Sequence, residues 1–181
     1  MIKSLCMKKV NWKKFDVIPY VMLVVFFLLH FFVMYKYGKQ VVDSDMSSEM
    51  VLANVLNKEG KFITYNWFYS SELRVFNTQL LFKLFLTIFP NDWHLARTFS
   101  QSILMLLYGL SAIYCVNGIG FGKKGLYIAA ILILPISFWN VFHSYFGGFY
   151  LVFSIPTLLL MGLVFKISRS EKIKIKQLLV L

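Results

Sequence analysis

The sequence predicts an all-α integral membrane protein. About four transmembrane helices are expected, with a long external loop after the first that contains two amphipathic helices, and the chain stops where a fifth span would begin. Three observations predict this class. Apolar residues make up 59% of the 181 residues and the mean hydropathy is +0.68, a composition foreign to soluble domains. Four apolar runs come close to the ~20 residues that cross a hydrocarbon core. The charge of +11, from 19 basic and 8 acidic residues, collects beside those runs, so it marks topology and gives a nucleic-acid partner no support.

Residues 1–16 form a basic N-terminus with Lys3, Lys8, Lys9, Lys13 and Lys14. The first span covers 17–35, and it ends in Tyr35, Lys36 and Tyr37, where a cleavable signal peptide would show small residues. It is therefore an uncleaved anchor. The second span is 95–116, followed by the turn-rich segment 117–124, NGIGFGKK. A third span over 125–142 and a fourth over 146–165 are joined by a short external turn, 143–145. The last segment, 166–181, is basic again, with Lys166, Arg169, Lys172, Lys174 and Lys176. Four spans place all three basic segments on one side, which the distribution of Lys and Arg makes the cytoplasm. A multi-pass cell-membrane protein with a cytoplasmic N-terminus follows. Cys6 and Cys115 fall at different depths and do not suit a disulfide.

The loop 36–94 holds six of the eight acids. After Asp45, the apolar residues Met46, Met50, Ala53 and Leu56 recur at helical spacing, so DMSSEMVLANVLNKEG predicts an amphipathic helix. Asp45 or Ser44 is the expected N-cap and Gly60 the terminator. KFITYNWFYSSELR predicts extended or irregular chain. NTQLLFKLFLTIF, ending at Pro90, predicts a second amphipathic helix that is too short to span and so lies at the interface or re-enters. Trp67, Tyr69 and Trp93 suit the headgroup region.

Asp43, Asp45 and Glu49 are the acidic candidates. Acids near a helix N-terminus are also favourable in themselves. In the second span His94, Arg97, Gln101 and Tyr108 share one helical face, and Arg97 lies about one turn inside, where a charge needs a partner, water or a route to the headgroups. Ser137, Asn140, His143 and Ser144 form a lesser polar edge. His30, alone in the first span, suits a packed or hydrogen-bonded histidine better than a catalyst. The sequence carries no metal-ligand spacing and no nucleotide fingerprint.

The order of first span, external acid, LANVLNKEG, aromatic stretch, amphipathic helix and LAR at the second span resembles the start of a GT-C glycosyltransferase. More narrowly, it is similar to the protein mannosyltransferase and aminoarabinose transferase branch. Asp45, Ala53, Leu56, Gly60 and the pair Ala96-Arg97 match that family's spacing over about residues 15–110. Met46 stands where a second acid is usual, and ELRVFN, with Arg74, stands in place of a Lys-Pro-Pro type segment.

The resemblance implies a transferase that moves a sugar from a polyprenyl-phosphate donor to an acceptor hydroxyl on the external face. Its partners would be the polyprenyl-phosphate-linked sugar, membrane lipid and an acceptor that the sequence does not identify. Asp45 would be the general base, with Asp43 as the alternative acid, and Asp43 or Glu49 would orient it or shape the acceptor site. Arg74, Arg97 and Lys83 would meet the lipid phosphate, with His94 and Gln101 on the same face. No cofactor is assigned, and a divalent metal stays open. Two other classes compete: a transporter or flippase component lined by the polar face of the second span, and a non-catalytic assembly subunit.

Overall fold

The computed structural model describes residues 17–68, 78–146 and 151–169. All regular structure among them is helical: α1 (Ile18–Tyr37), a short 3-10 helix (Gly38–Val41), α2 (Ser44–Glu59), α3 (Thr78–Ile88), α4 (Trp93–Ile119), α5 (Lys124–Ile133), α6 (Phe138–Phe146) and α7 (Leu151–Ser168). The protein is an all-α membrane protein. Among the described residues, α1 with the 3-10 helix, α4 and α7 are long and apolar enough to cross a membrane, and the α5–α6 pair makes a fourth span if counted as one.

Helix α4 is the axis of the bundle. Half of its most apolar window is buried in protein, against 17% for α1 and α7. Those two turn Val21, Val24, Leu28 and Phe32, and Phe153, Leu160 and Val164, outward. Such faces suit hydrocarbon, which has no hydrogen bonds to offer a polar side chain. Helices α4 and α5 run antiparallel, with Gly109 against Ile133 and Gly125 beside Ile113 and Val116. Helices α4 and α7 run parallel, since Leu151 shares a core with Leu104 and Met105 while Gly162 meets Tyr114 and Cys115. Missing Cβ atoms at Gly118 and Gly162 let the two backbones approach closely, as small residues allow between membrane helices.

The third span departs from the expected single helix over 125–142. It is broken, and α5 and α6 meet at 91°. Pro135 is the cause: proline has no N–H to continue the ladder, and its ring pushes the preceding residue out of the helical region. Leu134 is accordingly extended, with ψ 127°. Ser137 then starts α6, its Oγ accepting from the Asn140 N–H at 3.1 Å. The expected turn at 143–145 is therefore helical, lying inside α6, and α7 begins at Leu151 instead of 146.

Both amphipathic helices form in the loop. Gly60 ends α2 in the left-handed conformation, φ 66°, which costs glycine little. Helix α3 packs Phe82 and Leu86 against Ala53 of α2 and Ala96 of α4. Phe85 and Phe89 stack on Phe99 with ring centroids 5.6 and 5.3 Å apart. Its far side leaves Leu84 and Ile88 exposed. Eleven residues are too few to cross a bilayer, so this apolar face suits the interface. The 61–68 segment is irregular. The Asn66 amide donates to Glu59 at 3.0 Å, and hydrogen bonds from Asn66 and Thr64 hold the Glu59 carboxyl below its ordinary pKa.

Candidate functional site

The three acids of the loop take three different positions. Asp43 is the N-cap of α2, where Asp45 or Ser44 was expected; its Oδ1 accepts from the Met46 N–H at 2.8 Å. The backbone explains the choice, since Asp43 is extended and its side chain alone can turn back onto the first helical turn. Asp45, two residues on, is in that turn and is exposed. Glu49 faces inward and is 7% exposed.

Glu49 meets Arg97. The Arg97 Nη2 lies 3.4 Å from Glu49 Oε2, and Thr78 Oγ1 donates to the same oxygen at 2.8 Å. Arg97 also donates to the backbone oxygens of Met46, at 3.3 Å, and Tyr145, at 3.2 Å. Its guanidinium lies 5.4 Å from the centroid of the Tyr145 ring. One arginine thus ties α2, α4 and α6 together. It is 1% exposed, so a lipid phosphate would reach it only by displacing α2 or Tyr145. Enclosed in this way, Arg97 clasps three helices, and an arginine one turn inside an apolar helix gains more from a carboxylate and carbonyls than from snorkelling.

His94 makes a second tie. Its Nε2 is 2.6 Å from the Tyr35 carbonyl oxygen and its Nδ1 is 2.8 Å from the Tyr145 hydroxyl. A carbonyl only accepts, so Nε2 carries a proton toward Tyr35, while the Tyr145 hydroxyl, both donor and acceptor, meets Nδ1. The Tyr145 ring lies against Gly38, where a Cβ would stand 2.6 Å from it. His94 and Tyr145 therefore link the ends of α1, α4 and α6.

The remaining candidates scatter. Gln101 is wholly buried, and neither amide atom finds a hydrogen bond among the described residues. Lys83 donates to the Lys61 carbonyl at 2.5 Å and sits 4.8 Å over the Phe62 ring, so it braces the 61–68 segment. Arg74 and Tyr69 lie outside the described residues. His30 is buried beside the Ile133 carbonyl, where α5 stops, though outside good hydrogen-bond geometry. Tyr108 joins the polar edge of α6 instead of Arg97: with Asn140, His143, Ser144 and Ser154 it lines a recess of about 220 Å³ between α4, α6 and α7. Among the described residues no group of three or more His, Cys, Asp or Glu is placed to hold a metal ion.

Two participants escaped the sequence reading. Tyr145 fell in the supposed turn and Thr78 at the edge of an amphipathic run, and neither carries a sequence signal. Glu49 did carry one. It stands three residues after Met46 and four before Ala53, on the face that α2 buries. A carboxylate there and a lone arginine inside an apolar span are complementary oddities. Compared with protein-family models, with curated proteins and with solved structures, the chain matches none.

Proposed function

We propose that the chain belongs to a polyprenyl-phosphate-sugar dependent glycosyltransferase of the GT-C type, with Asp45 as general base. The observation that carries this reading is the contrast among the acids. Asp43 is spent on capping and Glu49 on Arg97, while Asp45 presents its carboxylate outward from the first turn of α2. Accepting a proton from an attacking hydroxyl requires a carboxylate that a substrate can reach. The α2–α3 layer is fastened beside the apolar ends of α1 and α4, where a donor with a lipid tail and a polar head would present its anomeric carbon. With Arg97 enclosed, Arg74 becomes the first choice for the phosphate. Lys83 is the second, with a swing away from Lys61 needed to free it.

The test is transfer by the full chain in native membranes supplied with a radiolabelled polyprenyl-phosphate hexose. Asp45→Asn keeps the size and removes the basic carboxylate. Transfer should fall on the order of a hundredfold at unchanged protein level, while Asp43→Asn, which still caps, should transfer normally. Normal transfer by Asp45→Asn would sink the reading.

One observation favours a second reading, a transporter or flippase component. A span broken at Pro135 beside a polar recess is a form that transport proteins use at their binding sites. Translocation of a lipid-linked sugar without its transfer would decide for it.

A further inference from the structure

Polar side chains on three helices converge on one recess between α4, α6 and α7. Tyr108 lies near the middle of the 27-residue α4. Asn140, His143 and Ser144 come from α6 and Ser154 from α7, and all five line the one recess with Met105 and Leu151 at its apolar side. The Asn140 Oδ1 is buried without a hydrogen bond among the described residues. Ser144 uses its hydroxyl hydrogen on the Asn140 carbonyl at 2.7 Å, which leaves its oxygen lone pairs to accept.

Polar groups packed among apolar helices are costly unless they face water, a ligand or one another. Asn140, His143 and Ser144 all lie on α6, beyond the break at Pro135 where it meets α5 at 91°. At about 220 Å³ the recess has room for roughly seven waters, at about 30 Å³ each, or for one small polar molecule in their place.

We propose that this recess is a hydrated pocket that binds a neutral, hydroxyl-rich group: a sugar or polyol, free or carried on a lipid. The lining chemistry selects that class. Among the described residues no Asp, Glu, Lys or Arg lines the recess, so its lining offers a phosphate or a cation no carboxylate, ammonium or guanidinium as countercharge. Hydroxyl, amide and imidazole groups alternate donors and acceptors as a polyol does, and Tyr108 adds an aromatic surface. The pocket is independent of Asp45 and stands whether the chain transfers sugars or translocates them.

The experiment reads binding, not transfer. The full chain, with Cys6→Ser and Cys115→Ala, carries a single cysteine at Ser154→Cys and is placed in nanodiscs. A membrane-impermeant methanethiosulfonate should modify that thiol at least about tenfold faster than one at the outward-facing Phe153→Cys, because reaction needs a hydrated thiolate. Methyl glucoside in the buffer, or dodecyl glucoside doped into the bilayer, should slow it severalfold. Protection by the first identifies a free sugar as the ligand, and protection by the second alone identifies a lipid-borne head. An unreactive Ser154→Cys in folded protein overturns the hydrated pocket, and modification that neither glucoside slows overturns the ligand class. If Ser154→Cys fails to fold, Asn140→Cys, at a partly exposed lining position, takes its place. Saturation-transfer NMR on the unaltered chain reports independently, and absence of transfer from either glucoside overturns the proposal as well.

Discussion

Glu49 and Arg97 stand 48 residues apart and meet in the protein interior, with Oε2 and Nη2 separated by 3.4 Å. Through this pair the loop layer is fastened to the central helix. Breaking a buried ion pair from one side strands a charge and costs ~3–5 kcal/mol, whereas replacing both partners with apolar groups is often near neutral. Arg97→Met and Glu49→Leu should each lower the unfolding midpoint in detergent sharply. The double variant should recover much of the loss, the deficit that remains being the Met46 and Tyr145 carbonyls left without Arg97 and the Thr78 hydroxyl left without Glu49.

The capping role of Asp43 separates the neighbouring acids by stability alone. Asp43→Ala removes the acceptor for Met46 N–H and should cost ~0.5–2 kcal/mol. Asp45→Ala, at an exposed site, should stay within about 0.5 kcal/mol of the parent. Chemical denaturation of the two variants side by side checks this, and equal losses would remove the distinction on which the choice of base rests.

Gly162 should tolerate no side chain. A Cβ there would lie 2.6 Å from the Tyr114 ring and 2.8 Å from the Cys115 Cα, and the second of these is backbone that cannot swing aside. Gly162→Val should separate α4 from α7 at a cost of ~1–3 kcal/mol or more. Gly122→Ala is no matching control, because Gly122 has φ 54°; Leu160→Val, at an exposed position, is. Yield of monodisperse protein and its melting temperature measure the difference.

The break at Pro135 predicts a distance. A straight helix from Lys124 to His143 would span about 28 Å at 1.5 Å per residue, but two arms at right angles bring the ends to about 20 Å. Spin labels at these positions should report the shorter backbone separation by pulsed electron resonance. A distribution centred on the longer value would restore a straight third span.

Hydrophobic length and periodicity determined much of this protein without any tertiary information. Long apolar runs must become helices in lipid because their backbone groups have no other partners. For that reason α1, α4 and α7 were legible, as were α2 and α3 from their apolar stripes, and Gly60 from its freedom at positive φ. The bend at Pro135 was legible locally but was hidden by the apolar residues on both sides, which satisfy a hydropathy window whether the helix continues or not. Tertiary structure decided what the polar residues do. Spacing placed His94, Arg97, Gln101 and Tyr108 on one face, yet a face does not name its partners. Packing gave Arg97 to Glu49 and Tyr145, His94 to Tyr35 and Tyr145, and Tyr108 to the recess beside α6. Enclosure is a property of the neighbours: one guanidinium binds phosphate at an open interface and becomes a clasp once α2 and α6 close over it.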